Sequence, residues 1–373
     1  MRPYLLSFLF VLTHTAGYAQ STDDWNRLRQ YAYSIGIDQL CDQPDKTCLT
    51  RYVTEIVYGH SPRRIGYQGV AERLDTTRIN RLTAQLLAGA DWCPLLDSLE
   101  SHDRAYQQLK AYCLRCLVDD YMADSLTLEQ VRETLNTYRW LNRFGYEQRV
   151  VVNIPSATLR LIDQRGRTLL RSRVIVGQPR TPTPVFTAML PSLVMYPFWN
   201  VPRSITVGEL LPKIRKNPVV VLEQLNMQIV SGSGRIIDPA TVDWTVPATS
   251  FPYRLRQSTG CDNALGLLKF NVASPYDIYL HDTNARALFG RDNRFLSHGC
   301  IRVEKPAELA NRLLGYTRFQ TGYLTSCPAN AQPKPINLPR AVPLLITYNV
   351  LDIDEAGAIQ VYPDAYHWWR VSL

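Results

Sequence analysis

The hydrophobic pattern changes period once, near Gly145, and this change limits the fold more than any other feature of the chain. Before it, apolar residues recur at three- and four-residue spacing. Leu28, Tyr31, Ile35 and Leu40 form one stripe, 80–88 and 106–114 carry two more, and Leu128, Val131, Leu135, Tyr138 and Leu141 form the clearest. This is the spacing of one helix face. Thr127-Leu-Glu-Gln130 has the form of a capping box opening that last helix. After Gly145 the runs are β-branched: 149–154, 158–162 and 169–176, the last ending at Gly177, with a turn at 163–167. Consecutive strands joined by short turns pair antiparallel. The expected fold is therefore α+β, an all-α scaffold followed by a mainly antiparallel β-sheet or sandwich. The expected divisions are residues 1–19, 20–145 and 146–373, with a capping insertion at about 215–260.

A length of 373 residues, 46% of them hydrophobic, permits two domains with a substantial core. Residues 1–19 have the features of an export signal. Arg2 is followed by the apolar run Tyr4 to Leu12, and Gly17 and Ala19 are the small residues before a cut. The run is too short to span a bilayer, which needs about 20 residues. An exported protein beginning near Gln20 is expected, outside the cytoplasm, with no stable membrane span once the signal is cleaved. Export makes disulfides possible among the eight cysteines, but sequence does not give their pairing. Cys113 and Cys116 have CxxC spacing inside a helical pattern, which favours a structural pair or buried thiols over a redox or zinc role.

The net charge of +8 suits an anionic partner such as a cell-wall polymer, but it is scattered, with no run of five basic residues. A modestly charged solvated surface is the favoured explanation, and no nucleic-acid partner is expected. Trp244, Phe251 and Tyr253 lie in the insertion, where they read as packing or as groove cover.

The chemistry concentrates in residues 278–303. Alternation along Tyr279-Leu-His-Asp282 puts Tyr279 and His281 on one face, and along Cys300-Ile-Arg-Val303 it puts Cys300 and Arg302 together. A thiol beside an imidazole is the minimum apparatus of cysteine nucleophilic catalysis: the imidazole takes the proton and the ion pair favours the thiolate. Gly299, in the turn Ser297-His298-Gly299-Cys300, permits backbone geometry that aims N–H groups at one point, as an oxyanion requires. Asp282 follows His281, and its backbone carbonyl is placed to orient the ring. Arg302 is suited to gripping a carboxylate. Two other readings stay open on the residues alone. His281, His298 and Cys300 are all possible zinc ligands, though without a fourth at a recognisable spacing, and each is also an ordinary core residue.

His281, fifteen residues, then Ser297-His298-Gly299-Cys300, an apolar residue and Arg302 resemble the signature of the YkuD-type L,D-transpeptidases. The resemblance extends to 152–155, 172–177, 198–202, 263–266, 279–283 and 346–348. It covers about residues 135 to 365 and is similar to the larger periplasmic YcbB-type branch, with a helical scaffold and a capping insertion. It implies that Cys300 attacks the carbonyl of a diamino acid–D-Ala bond in a peptidoglycan tetrapeptide stem. The thioester then passes to an amine of a second stem, giving a 3→3 cross-link. His281 is implied as base, oriented by the Asp282 carbonyl, and Gly299 and Cys300 as oxyanion donors. His298 is implied to shape the site, and Arg302, Tyr279, Ser297 and Asn263 to line it. No cofactor is implied. The partners are donor and acceptor stem peptides; the oligomeric state is left open. A carboxypeptidase or hydrolase using the same thioester, and an inactive wall-binding scaffold, are the alternatives. Cys261, just before Asn263, departs from the family pattern and bears on the redox state of the site.

Overall fold

The computed structural model describes residues 22–369 except 102, 119–127, 321, 329, 330 and 355. The signal reading and the Thr127 cap lie outside these residues. The first half is helical: α1 (Thr22–Ser34), α2 (Lys46–Tyr58), α3 (Thr76–Leu87), α4 (Trp92–Leu99), α5 (Arg104–Val118) and α6 (Leu128–Trp140), with a short strand β1 (Tyr67–Gln68) after α2. Asp45 caps α2 by accepting from the Cys48 N–H at 2.6 Å, and a Cys41–Cys48 disulfide closes the loop before it. Packing splits this half. Trp25, Leu28, Leu49, Ile56, Leu86 and Trp92 of α1–α4 form one core. Tyr106 and Leu109 of α5 and Val131, Leu135 and Tyr138 of α6 belong instead to the core of the sheet.

The strands that follow are β2 (Gln148–Asn153), β3 (Thr158–Asp163), β4 (Thr168–Gly177), β5 (Phe186–Met195), β6 (Trp199–Asn200), β7 (Met227–Val230), β8 (Ile236–Ile237), β9 (Arg254–Gln257), β10 (Leu268–Ala273), β11 (Leu280–His281), β12 (Phe295–Ser297), β13 (Ile301–Val303), β14 (Lys334–Thr347), β15 (Leu351–Ile353) and β16 (Ile359–Val361). The main sheet runs β1-β5-β10-β11-β13-β4-β3-β2-β14, and β14 also pairs with β5, so the sheet closes on itself. Most pairings are antiparallel, as the short turns require. The parallel ones are β1 with β5, β11 with β13, β12 with β4 and β14 with β2. In β2 every residue from Arg149 to Asn153 is buried. Val150 and Val152 face the sheet core while Val151 packs with Trp140, Phe144 and Leu345 on the other side. With both faces covered, the run is continuously apolar rather than alternating.

Residues 199–257 form a second, smaller unit. β6-β9-β7-β8 make its sheet, and a helical run of α7 (Arg203–Ile205), a π-helical turn (Thr206–Leu210) and α8 (Leu211–Ile214) leads into α9 (Pro218–Gln224). Its own core holds Val201, Leu211, Ile214, Leu222, Ile229, Phe251 and Leu255. The packed unit thus starts before residue 215. Tyr196, whose φ is +51°, lies between the end of β5 and the start of β6. A last helix, α10 (Pro306–Leu314), follows β13 and ends at Gly315 in the left-handed conformation.

Candidate active site

Two short strands bring the candidate side chains together. β11 pairs parallel with β13, Leu280 opposite Ile301 and His281 opposite Arg302. Extending this register one residue back sets Tyr279 opposite Cys300. Leu280 and Ile301 are fully buried on the core side. Strand alternation then puts Tyr279, His281, Cys300 and Arg302 on the opposite face. All four line a cleft of about 800 Å³ roofed by the smaller unit through Trp199, Pro202, Arg203 and Leu210.

The turn that delivers Cys300 is locked. Gly299 has φ +112°, a conformation closed to most L-residues. Ser297 is buried, and its hydroxyl donates to the Cys300 carbonyl at 2.6 Å and accepts the Gly299 N–H at 3.1 Å. Thr183 donates to the Gly299 carbonyl at 2.8 Å. The Gly299 N–H is therefore spent within the turn. Among the described residues the Cys300 N–H has no hydrogen-bond acceptor, which leaves it as the turn's available donor.

His281 is 4% exposed and its Nδ1–H donates to the Asp282 carbonyl at 2.5 Å. That bond fixes the tautomer and leaves Nε2 as the free base. Burial, the nearby Arg302 and the nearby Lys269 together lower its pKa to about 3. Burial raises the Cys300 thiol, while the Tyr279 N–H and hydroxyl, Lys269 and Arg302 pull the other way. The thiol donates weakly to the Asp277 carbonyl at 3.6 Å. Both net shifts favour neutral thiol and neutral imidazole. Both run against the expected resting ion pair: the same cations that support a thiolate oppose an imidazolium. The Asp282 carboxyl, fully buried and raised by that burial, accepts the Leu267 N–H at 2.9 Å and pairs with Arg286 at 2.5 Å. It holds the backbone whose carbonyl grips His281.

Lys269 is a site residue that sequence reasoning missed. It lies opposite His281 on β10, with its ammonium 4.1 Å from the centre of the Tyr279 ring, and partial burial lowers its pKa. Its only signal was a lysine between apolar neighbours in a strand. Glu209 was also missed. It sits on the π-helical turn and accepts from His298 Nε2 at 2.6 Å, so His298 faces the roof rather than the thiol. Asn263 does not line the cleft. It is fully buried, donating to the Pro197 and Ser258 carbonyls at 3.1 and 2.8 Å and accepting from the Leu265 N–H at 2.8 Å, and so organises the loop before β10. Cys261 is bonded to Cys327, and Cys300 is a free thiol. Cys113 and Cys116 are not bonded to each other. Trp244, Phe251 and Tyr253 pack on one another in the roof and stay out of the cleft.

A closed sheet thus carries a cysteine and a histidine on one face, under a roof. Residues 147–324 match the family model described as YkuD, the L,D-transpeptidase catalytic domain. The likeness to the YkuD-type L,D-transpeptidases therefore stands. A Haemophilus influenzae protein, named as a candidate L,D-transpeptidase, is 40% identical over 225 residues, which are 59% of this chain and 44% of that protein. The chain thus spans less than half of that relative's length. Among solved structures, an L,D-transpeptidase from Mycobacterium smegmatis is similar at TM-score 0.27 and 15% identity, covering 54% of this chain and 58% of that one. L,D-transpeptidase 3 from Mycobacterium tuberculosis is similar at TM-score 0.26 and 14% identity, covering 54% and 61%. Scores this low bear on neither mechanism nor substrate. Among the described residues no helix is long and apolar enough to cross a membrane.

Proposed function

We propose that this protein is a cysteine acyltransferase of the cell envelope that cross-links peptidoglycan stems. The observation that carries this is the register of β11 on β13, which sets Tyr279, His281, Cys300 and Arg302 on one face beneath a roofed cleft. Cys300 attacks the carbonyl of the diamino acid–D-Ala bond of a tetrapeptide stem while His281 Nε2 removes its proton. A histidine held neutral well below physiological pH is always ready for that step. The Cys300 N–H supports the oxyanion. Lys269, Arg302 and the Tyr279 hydroxyl stabilise charge as it builds on sulfur. His281 then passes the proton to the leaving D-Ala amine. The resulting thioester is taken by an amine of a second stem, giving a 3→3 bond. Arg302 holds a donor carboxylate, and His298 with Glu209 joins the turn to the roof. Residues 1–19 act as the export signal, 20–145 as scaffold, and 146–373 as the catalytic domain with its roof.

Purified protein incubated with disaccharide-tetrapeptide tests the reading through mass spectrometry of the products. Dimers joined through two diamino acids are expected. Tripeptide without dimers assigns a carboxypeptidase instead, and unchanged substrate sinks the proposal.

A further inference from the structure

Among the described residues, one side-chain bond joins the roof to the turn that carries Cys300. Glu209 reaches from the π-helical turn to His298, two residues before Cys300, with its Oε1 2.6 Å from Nε2. Its other carboxylate oxygen has no hydrogen-bond partner among the described residues, the side chain is 44% exposed, and it lines the cleft. π-Turns insert an extra residue into a helix and re-aim the side chains around it. Here the result is a carboxylate held on His298 by one oxygen and open at the other, lining the same cleft as Cys300. The cleft has a second acidic group, Asp277, but its charge falls on Lys269 and Tyr279, where the Lys269 ammonium offsets it.

The thioester of the proposed reaction has two possible fates, attack by water or by an amine. An amine at neutral pH arrives as an ammonium, with three N–H donors and a positive charge. We infer that Glu209 is the specificity-determining residue for the acceptor, binding its ammonium through the open oxygen while His298 holds the other. This rests on the acyl transfer proposed above. The bound ammonium loses one proton to solvent, and its nitrogen bonds to the thioester carbonyl carbon. The C–S bond breaks and leaves Cys300 as thiolate. The remaining proton passes from the new amide nitrogen to His281 and then to the sulfur. Water gains nothing from the carboxylate, so Glu209 shifts the partition of one intermediate without entering its formation.

The test is the ratio of aminolysis to hydrolysis from a single donor tetrapeptide, compared for the parent chain and Glu209→Gln. Glutamine keeps a hydrogen-bonding oxygen for His298 and removes the charge. With a stem peptide bearing a side-chain ammonium as acceptor, the ratio is expected to fall at least tenfold. With hydroxylamine, which is neutral at pH 7, it is expected to change less than twofold. A disturbed turn would lower both ratios together. An unchanged ratio with the cationic acceptor, an equal fall with both acceptors, or a fall on Asp277→Asn in place of Glu209→Gln would overturn the inference. Failure of the parent chain to form a thioester would overturn the acyl-transfer reading and this inference with it.

Discussion

At the residue scale the central pair is not poised as ions. A thiolate–imidazolium pair needs an environment that stabilises both charges, and this one supplies Lys269 and Arg302, which stabilise only the anion. In the proposed reaction, proton transfer then accompanies attack. The sign of the pH dependence follows. With its pKa lowered to about 3 by burial, Arg302 and Lys269, His281 is neutral across pH 5–8, so lowering the pH from 8 to 5 does not protonate the base. The rate constant for acylation of Cys300 by a carbapenem is expected to stay level over pH 5–8. A descending limb near the ordinary imidazole value of about 6.5 would contradict this. A second prediction concerns Ser297, whose buried hydroxyl ties the Gly299 N–H to the Cys300 carbonyl. Ser297→Ala leaves that N–H unpaired and should cost about 1–3 kcal/mol in a denaturant titration, with slower acylation. No loss of stability would mean the turn is held elsewhere.

Much of this site was readable from residue spacing. Alternation placed His281, Tyr279, Cys300 and Arg302 on one face because a strand fixes side-chain direction with period two. Lys269 and Glu209 were not readable, for different reasons. Lys269 depends on which strand lies beside β11 and in what register. Glu209 meets His298 across a sequence separation of 89 residues and between two packing units, which no local period encodes. The roles given to Gly299 and Asn263 also needed the structure, because only it shows what their polar groups already hold.

At the scale of elements, the loop between β9 and β10 supports the histidine from behind. Gly266 in this loop has φ +60°, and a Cβ there would lie 2.3 Å from the Asp282 Oδ2 and 2.6 Å from its Cβ. The neighbour is fully buried and cannot swing aside. Gly266→Ala should push Asp282 back, loosen the carbonyl that orients His281, and reduce acylation by about tenfold or more while lowering the unfolding midpoint. Acylation and midpoint equal to the parent's would show that this packing is not what holds the histidine. The Cys261–Cys327 disulfide ties the same loop to residues beyond α10, across a separation of 66 residues. Loop-closure entropy for that length corresponds to about 4 kcal/mol of stability. Replacing both cysteines by serine should lower the denaturant midpoint accordingly; an unchanged midpoint would mean that hydrogen bonds such as those of Asn263 suffice alone.

At the scale of the whole molecule, the helical half and the sheet share more than a linker. α5 and α6 contribute Tyr106, Leu109, Val131, Leu135 and Tyr138 to the sheet core. The Tyr138 hydroxyl donates to Asp352 at 2.9 Å, and Asn153 donates to the same carboxylate at 3.0 Å. Helical periodicity marked Val131, Leu135 and Tyr138 as core, but α6 is buried on every side from Glu133 to Trp140; the period could not say what would cover it, so the packing division within the helical half was invisible in sequence. A chain beginning at residue 146 would expose this apolar surface and leave Asp352 short of a donor. It is expected to be insoluble or to lack cooperative unfolding. A soluble, cooperatively folding fragment would show that α5 and α6 are dispensable cover.

The central claim is that Cys300 carries the acyl group. The most direct measurement is intact mass with peptide mapping of the protein quenched during reaction with a donor tetrapeptide and no acceptor. The expected result is a mass gain equal to the tripeptidyl acyl group, located on the peptide that contains Cys300 and absent from Cys300→Ala. An acyl group on another residue, or donor turnover by Cys300→Ala, would contradict the account.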